Sequence, residues 1–229
     1  MKQVGIIFLF VLTACVSFAQ ESVSETRPLG KFSAIRVGEA IDLYIKKGDK
    51  ESAKVEVQNV KLSDVLTEVS GSSLRIQMRS GNYSGRRTVK VYVTYVSIEK
   101  LMASSASSVF SEGILKASNL DITAASAANV ELQVDAENLT VDVASAGDIT
   151  LEGKARNLSV EASSAGSVDA YNLECEKVDA TVSSAGSAKV NVTKTLNAEA
   201  SSGGSIRYRG NPTNTNTDSS SGGSVKKSS

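Results

Sequence analysis

One short phrase recurs seven times in this chain and sets the limits on what it can fold into. Ser105-Ala106-Ser107-Ser108-Val109 returns at 126–130, 145–149, 164–168, 184–188, 202–206 and 221–225, with leading serines 21, 19, 19, 20, 18 and 19 residues apart. Composition alone does not space a phrase so evenly; the chain is a repeat protein. A second column keeps the beat: Leu101, Leu120, Leu139, Leu158, Val178 and Leu196. Each opens an apolar-polar alternation, as Leu139, Val141 and Val143 do against Thr140 and Asp142, and period 2 means strand. Another short alternation follows each phrase, as in Ile149 and Leu151 against Thr150 and Glu152. Each repeat therefore holds about two strands and one sharp corner.

Nineteen residues at about 3.3 Å each trace roughly 60 Å, one circuit of a narrow core. Such coils stack about 4.8 Å apart with parallel pairing, so equivalent side chains form ladders. The sequence predicts an all-β chain: a parallel β-helix, or β-solenoid, with coils of about 19 residues. Ser145, Ser164, Ser184 and Ser202, with Gly147, Gly166, Gly186, Gly204 and Gly223, form the structural turn ladder. A left-handed or otherwise tight backbone there would suit glycine. The first two corners carry Ser107 and Ala128 instead, which predicts a less regular turn at that end. Stacked serine hydroxyls are expected to hydrogen-bond from coil to coil. Inward places at Ala162, Ala180, Ala198 and Ala200 imply a thin cross-section.

The chain has 229 residues, 25 basic against 25 acidic, and no histidine. Zero net charge without a basic tract gives no reason to expect nucleic acid. Residues 1–19 read as a signal peptide, with Lys2 ahead of the apolar stretch Gly5 to Ala14 and a small-residue site at Ser17-Phe18-Ala19. The alternative is a lipoprotein signal: Leu12-Thr13-Ala14-Cys15 resembles a lipobox, which would make Cys15 the lipidated first residue and the only route to a membrane. Either way the product is exported, to periplasm, outer membrane or cell surface. Cys175 has no partner for a disulfide framework, and a nucleophilic role would need a base that a histidine-free chain lacks.

Residues 27–100 are strand-rich but off the beat: Ile41, Leu43 and Ile45; Leu74, Ile76 and Met78; Val89, Val91 and Val93. They are either irregular early coils or an antiparallel cap on the open end of the stack. Regular repeats occupy 101–210, and 211–229 reads as a degenerate last coil with a Ser/Gly-rich tail.

Phe32-x-x-Ile35-x-Val37, the Val-rich strands to Tyr95, the corners about 19 apart and the closing Ile206-x-Tyr208-x-Gly210-x-Pro212 together resemble the head GIN domain family of auto-transporter adhesins, a domain of unknown function. The resemblance covers roughly Phe32 to Val225, and Phe18-Ala19-Gln20 suits exported proteins of Bacteroidetes, where that family is common. It implies a right-handed parallel β-helix shaped like pectin lyases but without their catalytic set, and a role in adhesion or at the cell surface. It carries over no site residues, and the glycine-free corners depart from its pattern.

Because β-helices often act on polysaccharides, Asp142 and Glu161 are the candidates for a lyase or glycoside hydrolase. One coil apart at about 5 Å, they have the spacing of a retaining pair, and they would equally serve as calcium ligands. Against catalysis stand the ordinariness of exposed like charges and the outward positions after the corners: Phe110, Glu131, Thr150, Asp169, Lys189 and Arg207 include one aromatic. Arg207 and Arg209, and the group Arg75, Arg79, Arg86 and Arg87, read as surface charges with anionic glycan as the alternative. The expectation is a non-catalytic envelope module without cofactor or metal, binding a surface glycan or protein.

Overall fold

The computed structural model describes residues 22–228; the signal segment and Cys15 lie outside them. The described chain is a β-solenoid of about seven turns with coils of about 19 residues. Each long strand wraps most of one coil: β9 (Ser108–Ala124), β10 (Asn129–Val143), β11 (Asp148–Ala162), β12 (Ser167–Val182) and β13 (Ser187–Ala200). These, preceded by β8 (Lys100–Ala103), pair in parallel in sequence order. Leu139 lies over Leu158, which lies over Val178, as the 19-residue column requires.

Within a coil, the Ser-Ala corner joins two arms. In the third regular coil, Ile149 to Ala155 form the first arm and Leu158 to Ala162 the second. Between them the alternation breaks at Arg156-Asn157, where two consecutive side chains face solvent, and this makes the second bend. Departures from 19 residues fall in the first arm and, between β12 and β13, also at the second bend between Cys175 and Lys177. Pairing slips between Phe110 and Ile114, and again around Ala170 to Asn172, while the corners and second arms stay in register.

The corners correct three expectations. The left-handed residues are the serine and the residue after it: Ser145 and Ala146 have φ of 52° and 58°, Ser164 and Ala165 have 50° and 61°, and the last two corners put Gly203 and Gly222 in the second place. Left-handed backbone costs an L-residue about 1–2 kcal/mol. A ladder of backbone bonds offsets that cost, for Ala146 N–H donates to Ser164 O at 3.1 Å and Ala165 N–H to Ser184 O at 3.1 Å. The glycines serve close approach: a Cβ on Gly166 would lie 2.8 Å from Val143 O in the coil below. No side-chain hydrogen bond joins the Ser145, Ser164, Ser184 and Ser202 hydroxyls to a described residue; the carbonyls carry the ladder. The first corners are as regular as the rest, with φ of 54° and 58° at Ser105 and Ala106. At the glycine position Ser107 is buried, and its hydroxyl donates to Val37 O at 3.4 Å, the carbonyl glycine would otherwise approach.

The first 80 described residues hold both architectures that the sequence left open. β2 (Ala34–Val37) and β3 (Asp42–Lys47) form a coil whose corner, Glu39-Ala40, has φ of 61° and 57°. That corner joins the ladder through Ala40 N–H to Ser105 O at 2.9 Å. The next parallel strands, β6 (Ser73–Met78) and β7 (Thr88–Tyr95), pair on the outer side of β2 and β3, so the later coil lies beyond the earlier one. Three antiparallel strands close the end: β4 (Ser52–Gln58) on β7, β1 (Val23–Pro28) on β4, and β5 (Val65–Ser70) on β6. At the other end β14 (Ser205–Arg209), β15 (Asn214–Ser219) and β16 (Ser224–Lys227) make a last rung on β13 and β14.

The core is one continuous apolar column between the arms, and Ala162, Ala180, Ala198 and Ala200 are buried within it. One of its columns narrows along the axis: Leu74, Ile35, Leu101, Ile122, Val141, Val160, Ala180 and Ala198 share one register position.

Candidate functional site

The second arm's outer face holds the candidate acids. Asp142 pairs in register with Glu161 on the adjacent strand, in the expected juxtaposition. Burial, with the charges of Glu161 and Asp121, pushes the Asp142 carboxyl above its usual range, and Lys100 opposes the shift. Among the described residues no group of three or more Asp, Glu, Cys or His is placed to hold a metal ion. The carboxylates border a recess of about 200 Å³ with Thr123, Ala125, Ala144 and Ser163, too small to enclose a long substrate.

Cys175 is fully buried beneath the second bend, its thiol pushed up to about 12 by burial and, less, by Glu174. It is a packing residue in the ladder of Ala117, Ala136 and Ala155. Above that ladder runs a broad recess of about 730 Å³, edged by Lys116, Asp135, Glu137 and Arg156. Its rims are ion pairs between adjacent coils, Lys116–Asp135 at 3.8 Å and Arg156–Glu137 at 3.1 Å. Exposed pairs of this kind are worth roughly 0–1 kcal/mol each. Beside them Asn157 donates to Asn138 at 2.8 Å and Asn138 to Asn119 at 2.9 Å, an asparagine ladder that a search of the 19-residue columns would have found.

The arginines do not gather as one group. Arg79 bonds Ser63 O and Arg87 lies over the Tyr83 ring at 5.4 Å, whereas Arg75 stands beside Arg36 on β2. Arg209 donates to Tyr171 O and covers the Tyr171 ring at 5.3 Å; Lys189 lies 5.7 Å from that ring and pairs with Asp169 at 2.8 Å. These contacts fasten the last coils to one another.

The first arm's outer face carries a feature the sequence hid. Tyr92, Tyr44 and Phe110 occupy one register position on β7, β3 and β9, with centroids 4.9 and 5.2 Å apart and near-parallel rings. Offset stacks of this kind are favourable by about 0.5–1.5 kcal/mol per pair beyond burial. At one end Lys54 sits 5.8 Å from the Tyr92 ring and pairs with Glu56 at 2.6 Å. Burial, then the Glu56 charge, pushes the Tyr92 phenol up. At the other end Phe110 borders a recess of about 230 Å³ with Ser111, Glu131, Gln133, Thr150 and Glu152. The two-residue excess of the first regular coil makes this recess: the chain bulges at Ser111 to Gly113, and the Ser111 hydroxyl accepts from Gln133 N–H at 2.9 Å. Only Phe110 of the three aromatics lies on the 19-residue beat, so the column looked nearly empty of aromatics until topology set β7 and β3 beside β9.

Residues 31–212 match the family model described as "Putative auto-transporter adhesin, head GIN domain". The chain belongs to this family. Among solved structures, one described as a putative adhesin from Bacteroides fragilis is similar at 21% identity and a TM-score of 0.82, covering 92% of this chain and 98% of that one. A putative adhesin from Parabacteroides distasonis is similar at 19% and 0.73, and a putative lipid binding protein from the same species at 20% and 0.71, each with the same 92% and 98% coverage. At these identities the likeness is one of fold. No curated protein matches the chain.

Proposed function

We propose that this chain is a non-catalytic adhesion module of the cell envelope that binds a surface glycan or protein on the first arm's outer face. The observation that carries the reading is the aromatic stack ending at the Phe110 recess: an apolar ring edge flanked by carboxylates, an amide and hydroxyls in one shallow cavity. Such a surface suits a sugar ring or an extended peptide, with apolar contact on the aromatic and hydroxyl or amide donors meeting Glu131 and Glu152. Membership of an adhesin family supports binding over turnover and an exported or surface location. If Cys15 is lipidated the rod is tethered, and mass spectrometry of the mature N-terminus distinguishes the tethered from the free form.

The test is a binding screen of the purified domain against neutral and acidic glycans and envelope proteins, with Phe110→Ala and Glu131→Gln in parallel. The reading expects a ligand whose affinity falls about tenfold or more in Phe110→Ala while the fold is kept. A blank screen, or a ligand indifferent to both substitutions, removes it. Polysaccharide cleavage lost in an Asp142→Asn, Glu161→Gln double variant would replace it with the enzyme reading.

A further inference from the structure

Several charges on adjacent coils of this rod are opposite and close ion pairs, Arg156–Glu137 at 3.1 Å, Lys189–Asp169 at 2.8 Å and Lys194–Glu176 at 2.7 Å, whereas Lys189, Arg207 and Lys226 form a like-charged row on the first arm. One column on the second arm's outer face sets like charges side by side twice, with opposite signs at its two ends. Taken along the axis it reads Arg75, Arg36, Met102, Thr123, Asp142, Glu161. Two arginines are register neighbours and two acids are register neighbours, although like charges directly opposite are destabilising. Neither Arg36 nor Arg75 has a hydrogen bond or ion pair to another described residue. Glu68 on β5 faces Arg75 across the antiparallel pair without closing an ion pair. In the column beside it, Lys100 precedes Asp121.

The pattern is antisymmetric about the midpoint between Met102 and Thr123. Turn a second copy about a two-fold axis lying in the face and crossing the rod there, and each residue meets its mirror in the order. Arg75 then opposes Glu161, Arg36 opposes Asp142, Lys100 opposes Asp121, and Met102 meets Thr123. Every unpaired charge in the column between β6 and β11 gains an opposite partner, which is the self-complementarity a two-fold interface requires. Bulky side chains do not obstruct the approach: Gly38, Ser104, Ala125, Ala144 and Ser163 run alongside, leaving shallow recesses of about 360 and 200 Å³ on the two sides of the midpoint. We infer that a second copy of this chain docks antiparallel on this face.

Six rungs at about 4.8 Å and an arm of about five residues make a patch on the order of 400 Å² per copy. That is small for a stable complex, so the association is weak, concentration-dependent and sensitive to salt. It leaves both first-arm faces free, and two tethered binding faces raise avidity without any new contact. The pairing does not depend on what those faces bind.

Sedimentation velocity on the secreted form of the full chain, with Arg36→Asp and Asp142→Arg variants alone and mixed in equal amounts, tests it. In the pairing each variant repels itself, whereas the mixture restores both opposite-charge contacts in one heterodimer. Expected are a wild-type dimer in low salt that dissociates in about 1 M salt, at least tenfold weaker self-association of each variant, and recovery in the mixture. The Arg36→Asp, Asp142→Arg double variant should dimerise alone, which guards against a single variant that folds poorly. A monomeric wild type at every concentration, a dimer indifferent to both substitutions, or a mixture that stays monomeric overturns the inference. So does a sulfated or uronate oligosaccharide that binds monomeric wild type and is lost in Arg36→Asp, which would assign the arginines to an anionic ligand.

Discussion

The two ends of the rod are closed by opposite means. Where β6 and β7 form the outermost coil, the core is at its widest, with Leu74, Ile76, Val89, Val91 and Val93 buried at 3% exposure or less. A parallel coil ending there would expose this apolar cross-section and a row of unpaired backbone groups. The chain covers it by reversing direction in β4, β1 and β5. Arg27 on β1 then ties the two edges together, donating to Val65 O at 2.7 Å and Leu62 O at 2.8 Å. At the far end direction never reverses. The second arm's inward residues there are Leu196, Ala198 and Ala200, and the rung above places Thr215, Thr217 and Ser219 over them. Lys227 bonds Asn211 at 2.8 Å, and the Tyr171 hydroxyl meets Ser228, holding that rung down. Every cross-section of a parallel stack is a template for the next. It can be masked by changing strand direction over a wide core, or made unattractive by filling a narrow core with hydroxyls whose burial would go unsatisfied.

Substitutions at one register position separate the two schemes most strongly. Leu74→Ala at the wide end should cost about 2–5 kcal/mol, from lost transfer energy and a residual cavity. Thr217→Ala, in the same column, should change stability by less than about 0.5 kcal/mol. Denaturant unfolding measures both, and equal costs would mean that the last rung is packed like the first. Next in size, Arg27→Ala leaves two carbonyls short of a donor and should cost about 1–3 kcal/mol. Hydrogen exchange should then quicken in β1 and β5 while the corner amides stay protected.

Alkaline pH probes the middle of the rod, which neither end scheme touches. The folded-state thiol of Cys175 is pushed up to about 12 from 9.0. It keeps its proton where the unfolded chain loses it, so stability should fall as pH rises from 9 towards 12 and be unaffected below. Cys175→Ala should remove that part of the alkaline loss, and a thiol reagent should label the native protein at pH 8 only as fast as it opens. The smallest stability effect belongs to a Thr215→Val, Thr217→Val pair, within about 0.5 kcal/mol. Its signature is association instead: an apolar last rung should stack end to end, visible as rods of increasing mass in light scattering. Continued monodispersity at that end would show that the hydroxyls are not what keeps copies apart.

Much of this was legible in the chain because a solenoid writes local rules repeatedly. The 19-residue beat gave the stacking of Leu139 on Leu158, and alternation gave the inward faces. The corner phrase located every left-handed Ser corner from Ser105 onward, but not the second bends such as Arg156-Asn157, nor the corner at Glu39-Ala40, where the backbone is the same and the letters differ. Of the two tasks expected of glycine, a left-handed or an otherwise tight backbone, Gly147 and Gly166 perform the second by making room for a carbonyl, while Ser145 and Ala146 adopt the left-handed backbone. Asp142 and Glu161 were rightly placed side by side, yet their partners in the pattern, Arg36 and Arg75, lie 39 residues apart and off the beat.

What the residues alone determined was therefore everything carried by short-range periodicity: strands, corners, the parallel stack and its thin core. Only tertiary structure decided that the β6–β7 coil lies outside the β2–β3 coil, because any alternating apolar strand can bury itself on any coil edge, and alternation alone does not specify its neighbour. That one non-sequential stacking sets Tyr92 and Tyr44 against Phe110 and Arg75 against Arg36, and both candidate binding faces follow from it.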